Sequence, residues 1–237
     1  MCIKDNIKHI HEKIAAEAQK CNRKPEDIRL VSVSKKQPVQ KIVTAIQSGA
    51  CIFGENYIQE ARKKVDAIRN IVQEQNLPEP SWHFIGHLQR NKAKYAVRIF
   101  DWIHSVDSLA LMEEINRCAQ KLEKRQKILI QVSTGEIQKS GIPSDKIISL
   151  VQSGMNLRHI SICGLMVMPP YAQDPEESRP YFQNLSQLLN QIKTTFSDSL
   201  DHPLNQLSMG MTGDYLVAIQ EGATFVRVGT AIFGKRE

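Results

Sequence analysis

Residues 28–53 read IRLVSVSKKQPVQKIVTAIQSGACIF, and this stretch contains the unit from which the chain is built. Residues 28–34 are rich in β-branched and aliphatic side chains, which is typical of a buried strand. Residues 39–48 carry apolar side chains at helical spacing, and Gly49 is placed to end that helix. Residues 51–53 then form a second strand. A strand, a helix and a strand in this order predict a parallel pair joined by a right-handed crossover.

The same alternation continues along the whole chain. It predicts an extra N-terminal helix over 5–21 and then eight strands, each of which except the last is followed by a helix. The predicted strands are 28–34, 51–53, 82–85, 102–106, 128–132, 160–167, 206–209 and 224–228. The predicted helices between them are 39–48, 58–75, 88–97, 108–122, 144–154, 175–196 and 215–220. We expect one domain over residues 1–237, an α/β fold of the (β/α)8 TIM barrel type, with an open doubly wound sheet as the alternative.

Composition argues against several classes of protein. The 237 residues are 41% hydrophobic and 24% charged, which is globular composition. No run approaches the roughly 18 apolar residues that cross a bilayer, and the charged N-terminus lacks the apolar core of a secretion signal. The five cysteines are scattered and form no C-x-x-C pair, so neither a disulfide framework nor a zinc knuckle is expected. We therefore expect a cytoplasmic protein that does not span a membrane.

The formal net charge of +6 raises the question of nucleic-acid binding. The basic residues are spread along the chain, and their densest groups, 62–64 and 90–94, fall in predicted helices. Runs of this kind are usually solvated helix faces. We expect no nucleic-acid partner, and a strongly salt-dependent affinity for DNA or RNA would indicate the opposite.

Lys35 is the first candidate functional residue. It follows the first predicted strand, and barrel enzymes place their active sites where the strands end. A lysine whose stem lies against apolar walls loses hydration, which lowers the pKa of its amine and frees it to attack carbonyl groups. Taken alone, a lysine that extends to solvent is the simpler interpretation. Its neighbour Lys36 is expected to point away.

Two turns of small residues after the seventh and eighth strands are the second candidate. They read SMGMTG (208–213) and GTA (229–231), and this part of a barrel commonly binds phosphate through backbone N–H groups. Ordinary turn chemistry explains each of them equally well. Together with Lys35 on the first strand, they indicate a phosphate ester that bears a carbonyl group, such as pyridoxal 5′-phosphate (PLP). Arg227 is then placed to face the pyridine nitrogen and keep it unprotonated.

The histidines and sulfur-containing residues near the strand ends have simpler interpretations. His83 and His87 are four residues apart, but Gly86 and the change from strand to turn argue against a zinc helix, and we expect no metal site. His104 is expected to be a hydrogen-bonded barrel residue and Cys163 an inert buried thiol. Packing is the simplest interpretation of Met166, Met168 and Met209, and contact with the cofactor ring is the alternative.

The chain resembles the pyridoxal phosphate homeostasis protein family. The matching motifs are VSVSKKQP (31–38), FGENY (53–57), HFIGHLQ (83–89), KSG (139–141), GLM (164–166), SMGM (208–211) and VRVGTAIFG (226–234). The resemblance implies a monomeric barrel like the N-terminal domain of alanine racemase, with PLP held as a Schiff base on Lys35. It further implies that Ser208, Gly229 and Thr230 lie on the phosphate side, Arg227 at the pyridine nitrogen, and Asn56 near the ring. Gln37 departs from the second lysine that often follows the Schiff-base lysine, so no role is carried over for that position.

The residues favour a carrier over an enzyme. Racemisation needs two acid–base groups on opposite faces of the substrate carbon, and we expect the second, which alanine racemases take from an additional domain, to be missing. We therefore expect a protein of intracellular PLP (vitamin B6) homeostasis, without efficient amino-acid turnover, that serves PLP-requiring apoenzymes. A weak PLP-dependent racemase or lyase is the alternative, and a Schiff-base aldolase without PLP is a further one.

Overall fold

A computed structural model describes residues 2–135, 140–196 and 202–234. Eight parallel strands close into a barrel in chain order, and β8 pairs with β1. The strands are β1 (Arg29–Val33), β2 (Ile52–Glu55), β3 (Ser81–Phe84), β4 (Trp102–Val106), β5 (Gln126–Val132), β6 (Ile160–Val167), β7 (Gln206–Ser208) and β8 (Phe225–Val228). The (β/α)8 barrel expected from the sequence is thereby confirmed, and the open sheet is wrong.

Helices follow the strands and cover the outside of the barrel. Those in the described residues are α1 (Ile3–Lys20), α2 (Val39–Gln47), α3 (Ile58–Glu74), α4 (Ala93–Ile99), α5 (Leu109–Gln120), α6 (Ile147–Gly154), α7 (Arg179–Thr195), α8 (Tyr215–Gln220) and α9 (Thr230–Phe233). α1 is the extra N-terminal helix, and Arg23 just beyond it donates to the carbonyl oxygens of Ile219 and Ala223. None of the helices described is long and apolar enough to cross a bilayer.

Three of the boundaries that differ from the sequence prediction differ for a local reason. The predicted helix over 88–97 begins instead with a 3₁₀ turn, Arg90–Lys92, because the backbone at Gln89 is still extended. Ser144 starts a 3₁₀ turn after Pro143 and does not cap α6 directly. β5 begins two residues early, because Gln126 and Lys127 already pair with β6, and the side chain of Gln126 also donates to Asp101 O at 2.8 Å. Hydrophobic periodicity in the sequence does not reveal local features of this kind.

The strands separate two apolar cores. The larger one lies between the sheet and the helices, and includes Met209. The smaller one fills the barrel and consists of Val31, Trp102, Leu129, Cys163, Met166 and Phe225. At its lower end the Arg29 guanidinium stacks on the Phe225 ring, 3.8 Å from the ring centre. The interior is therefore packed, which leaves the mouth of the barrel as the place for a ligand.

Gly164 explains an irregularity in β6. Its φ is +152°, and the register between β5 and β6 shifts next to it. A Cβ at this position would overlap the carbonyl oxygen of Gln206 on β7. Only glycine allows the two strands to approach this closely.

Candidate functional site

A cavity of about 340 Å³ opens at the carboxyl ends of the strands. This is within the usual size range of small-ligand sites. Its walls combine apolar side chains with a small number of polar ones. The lining residues are Val33, Lys35, Asn56, Ile85, Met168, Pro170, Tyr171, Ala172, Gln173, Pro175, Ser178, Met211, Thr212, Gly213, Asp214, Arg227, Gly229 and Thr230. Five of the six residues predicted for cofactor binding therefore border one cavity.

Lys35 lies in a tight turn directly after β1. The N–H of Gln37 donates to Ser34 O at 3.0 Å and closes the turn. Lys36 has a φ of +60°, a left-handed conformation that lysine adopts at a cost of about 1–2 kcal/mol. Lys35 is half-buried and borders the cavity, whereas Lys36 is exposed and does not. The prediction that the two lysines point in different directions is confirmed.

A buried cluster of charged side chains stabilises this turn. The Ser34 hydroxyl donates to Glu55 Oε1 at 2.6 Å, and Lys64 Nζ lies 3.1 Å from the same oxygen. Lys64 also donates to Ser34 O at 2.7 Å and lies 2.5 Å from Glu60 Oε1, the atom that accepts the N–H of Lys36. Burial raises the pKa of Glu55, although the charge of Lys64 and its hydrogen bonds oppose the shift.

Lys64 corrects one sequence interpretation. The run 62–64 was interpreted as a solvated helix face, and residues 62 and 63 are indeed exposed, but Lys64 is only 7% exposed and faces the barrel. The helix turns by about 100° per residue, so neighbours in a run of like charges do not share a face. The spacing of Glu60 and Lys64, four residues apart on one helix, was the available signal.

Arg227 reaches the cavity from β8. It is 4% exposed, and burial lowers the pKa of its guanidinium to about 10, so it remains charged at neutral pH. Nη1 donates to Ser208 Oγ at 2.6 Å and Nη2 to Val167 O at 2.9 Å. These two bonds use two of the five N–H donors and fix the guanidinium plane. Donors remain for a ligand in the cavity.

The turns after β7 and β8 form the opposite wall. Gly229 lies beside β1, since a Cβ at its position would be 3.3 Å from Val33 Cβ. The N–H groups of Gly213, Thr230 and Ala231 donate to no acceptor in the described part of the chain. N–H groups in such turns, together with threonine hydroxyls, form a site for an anion. The two turns and Lys35 thus face one cavity, as predicted.

Ser208 is the predicted site residue that does not border the cavity. It is fully buried at the end of β7, and its hydroxyl contacts both Arg227 and His104 Nδ1, the latter at 2.9 Å. His104 Nε2 in turn lies 3.0 Å from His83 Nδ1. Burial, more than the nearby cations, holds the pKa of both histidines well below the usual value, so both are neutral. The expectation that His104 is a hydrogen-bonded barrel residue is confirmed.

Asn56 contributes an unsatisfied acceptor. Its Oδ1 is buried and has no hydrogen-bond partner among the described residues, yet the side chain borders the cavity. Gly86 permits this position, because a Cβ there would overlap the backbone of Asn56. A buried amide without a partner is costly, and a polar ligand group would satisfy it.

Neither Asp214 nor Pro170 and Tyr171, in the loop between β6 and α7, were predicted from sequence to border the cavity. The loop contributes Met168, Pro170 and Tyr171 to the cavity wall. Asp214 accepts from Met211 N at 2.6 Å and from the Ser178 hydroxyl at 2.8 Å, and thereby joins this side of the cavity to the turn after β7. Ser178 and Asp214 are 36 residues apart in the chain, and no local motif predicts their contact.

The remaining candidates play no part in this cavity. His87 is exposed, and its Nδ1 lies 2.8 Å from Ser140 Oγ, while His83 is inside the barrel. No group of three metal-binding side chains occurs among the residues described. The buried Cys163 thiol has its pKa raised by burial. Lys139 of the KSG motif lies outside the described residues.

Comparison with known proteins identifies a matching family model and similar proteins over nearly the whole chain. The family described as alanine racemase, N-terminal domain, matches residues 5–237. A pyridoxal phosphate homeostasis protein of Vibrio alginolyticus is 38% identical over 236 residues, which cover 99% of this chain and 98% of the relative. A protein of the same name from Aquifex aeolicus is 36% identical over 234 residues, 98% of each chain.

Solved structures have the same fold. PipY of Synechococcus elongatus, in a structure with PLP bound, has a TM-score of 0.80 and 35% identity over 93% of this chain and 100% of that chain. An alanine racemase of Corynebacterium glutamicum has a TM-score of 0.70 at 15% identity, over 98% of this chain and 62% of that chain, which shows a shared fold alone.

Proposed function

Because the chain belongs to the pyridoxal phosphate homeostasis protein family, we propose that it binds PLP at the mouth of its barrel and helps to control the supply of that cofactor. The proposal includes one domain over the whole chain, a monomeric state, and PLP-requiring apoenzymes as the recipients. It rests chiefly on one observation. A half-buried lysine, a buried arginine and two glycine turns with available N–H groups border the same cavity.

The residues fit PLP group by group. Lys35 supplies the amine that the aldehyde requires, and the N–H groups and hydroxyls around Gly229 and Thr230 suit the phosphate. The unsatisfied Asn56 amide suits a polar substituent of the ring. Val33, Ile85 and Met168 supply the apolar walls that a flat ring needs. Ser208 acts through Arg227, which it orients.

PLP, when bound, supplies an aldehyde carbon and a pyridine ring that can accept electrons. In the proposed adduct, a Schiff base, Lys35 Nζ forms a bond to that carbon and the aldehyde oxygen leaves as water. The amine must be neutral to attack. The turns hold the phosphate, so the aldehyde is presented to Lys35 in one orientation.

Arg227 favours a carrier over an efficient enzyme. Its guanidinium is charged at neutral pH, since its pKa of about 10 is far above that value. A cation beside the pyridine nitrogen disfavours protonation of that nitrogen. The ring then withdraws electrons less strongly, which restrains carbanion chemistry on bound amino acids. We therefore propose storage and delivery of PLP without efficient turnover.

The test is titration of the purified protein with PLP, followed by addition of an apoenzyme whose activity depends on PLP. We expect a yellow protein that restores the apoenzyme's activity. A protein that stays colourless at saturating PLP would contradict the proposal. Turnover of alanine or serine that depends on Lys35 would instead support the racemase or lyase alternative.

A further inference from the structure

We propose that Lys64 is a positioning residue, whose buried ammonium holds the turn of residues 34–37 in the conformation that directs Lys35 into the cavity. The inference rests on the proposed function for the reaction of Lys35, and on the structure for the conformation of the turn. Lys64 does not line the cavity at the barrel mouth. Its effect is transmitted by the backbone on both sides of Lys35.

The ammonium group of Lys64 has three oxygen neighbours. It donates to Ser34 O at 2.7 Å and to Glu55 Oε1 at 3.1 Å, and it forms an ion pair with Glu60, whose Oε1 lies 2.5 Å away. Two hydrogen bonds and two neighbouring carboxylates compensate for burial of the charge. Lys64 therefore joins α3, the end of β2 and the turn after β1 at one point.

Lys35 lies between two residues that this cluster fixes. On one side, the carbonyl of Ser34 accepts from Lys64 and its hydroxyl donates to Glu55. On the other side, the N–H of Lys36 donates to Glu60 at 2.5 Å. Lys36 has a φ of +60°, which an unsupported lysine avoids. Without the cluster, the turn should relax toward ordinary φ values and Lys35 should leave its position.

A methionine at position 64 should therefore slow the reaction of Lys35 while the fold persists. The measurement is the rate constant for PLP adduct formation across pH, read at the high-pH plateau where the amine is neutral in every variant. We expect Lys64→Met to lower the plateau rate about tenfold. Lys63→Met is the matched control, because residue 63 is exposed on the same helix, and its plateau should equal that of the wild type.

Removal of Lys64 alone leaves two carboxylates uncompensated and can prevent folding. The double variant Glu55→Gln/Lys64→Met removes the buried charge pair and still lacks the ammonium. It should melt cooperatively and show the same loss in plateau rate. The other outcome is a shift in the pH midpoint of the rate constant, with a plateau rate equal to that of the wild type in either folded variant. It would mean that Lys64 acts only through its charge, and would overturn the proposal.

A second measurement separates this inference from the proposed function. The acylation rate of Lys35 by an amine-reactive ester, followed by peptide mass, needs no PLP. We expect a several-fold faster reaction in Lys64→Met, because the released side chain becomes exposed, and no change in Lys63→Met. If the wild type forms no PLP adduct but the acylation rates differ as stated, the proposed function fails and the positioning role stands. Equal acylation rates in the wild type and Lys64→Met refute the positioning role, whether or not PLP forms an adduct.

Discussion

Arg227 Nη1 lies 2.6 Å from the hydroxyl oxygen of Ser208, so the ends of β8 and β7 are joined by a buried hydrogen bond at the wall of the cavity. The same hydroxyl contacts His104, which contacts His83. A chain of polar groups thus runs from the cavity wall into the barrel. The guanidinium is oriented from inside the protein before any ligand arrives, which is the condition for precise recognition of a ligand atom.

Arg227→Gln should weaken PLP binding by about 10–100-fold. A hydrogen bond to a charged group contributes about 1.5–3 kcal/mol, and the substitution also leaves the Ser208 hydroxyl and the Val167 carbonyl without their donor. Fluorescence titration with PLP measures the affinity. Arg29→Gln is the control, because Arg29 is a barrel arginine that stacks on Phe225 and borders no part of the cavity.

Both arginine variants are expected to lose thermal stability. Only Arg227→Gln is expected to lose affinity. Equal affinities for the two variants would show that the guanidinium of Arg227 does not contact the cofactor.

Asp214→Ala should loosen two walls of the cavity at once. The carboxylate accepts from Met211 N and the Ser178 hydroxyl, and alanine leaves both donors unpaired. We expect PLP affinity to fall about tenfold, corresponding to the loss of about 1–2 kcal/mol of hydrogen bonding. Asp174→Ala is a suitable control, because Asp174 caps a 3₁₀ turn of the same loop by accepting from Glu176 N and does not border the cavity. An equal effect of both substitutions would assign the loss to the loop in general.

The buried histidine pair should make the protein less stable in acid. The pKa of each is lowered in the folded state, so below about pH 6.5 the unfolded chain binds more protons than the folded one. This contribution to stability is complete above that pH and is lost as the pH falls, by up to about 1.4 kcal/mol per pH unit for each histidine. Glu55 and Asp107, whose pKa values are raised by burial, oppose the trend.

Urea unfolding between pH 7 and pH 5 measures this slope. His104→Gln should reduce this pH dependence of the free energy of unfolding by the contribution of one titrating histidine. This holds whatever the substitution does to stability at pH 7. A slope that does not respond to His104→Gln would mean that this histidine is already protonated in the folded protein.

Gly164→Ala should be far more damaging than Gly49→Ala. Both glycines have positive φ, +152° and +91°, so alanine is strained at either position. At Gly49 a Cβ meets nothing within 4 Å, and we expect a loss of about 1 kcal/mol. At Gly164 it overlaps the backbone of β7, and we expect a loss of more than about 3 kcal/mol or failure to accumulate as folded protein. Chemical denaturation of the two variants decides the comparison.

The fold could be predicted from sequence because its signals are local. Periodicity within each segment revealed the strands and helices, and Gly49 marked the end of α2. The positions of Lys35, Arg227 and Gly229 followed from the rule that barrel strands present their carboxyl ends at one face. These residues lie at or just after strand ends, so their positions follow directly from the predicted strands.

The supporting residues could not be predicted in the same way. Lys64 looked like part of a surface run, and only the three-dimensional packing of α3 against the turn after β1 buries it. The contact of Ser178 with Asp214 joins distant parts of the chain. The hydroxyl of Ser208 was predicted to face phosphate, and that assignment stays a prediction, since in the structure the hydroxyl contacts Arg227 and His104.

The covalent attachment of PLP to Lys35 is tested most directly by borohydride reduction and peptide mass mapping. Wild type, Lys35→Ala and Lys36→Ala are incubated with PLP, reduced and digested. We predict the mass of reduced PLP on the residue-35 side chain in the wild type and in Lys36→Ala, and a colourless Lys35→Ala protein without a specific adduct. An adduct of equal yield in Lys35→Ala, or one fixed to a different lysine in the wild type, would contradict Lys35 as the attachment site.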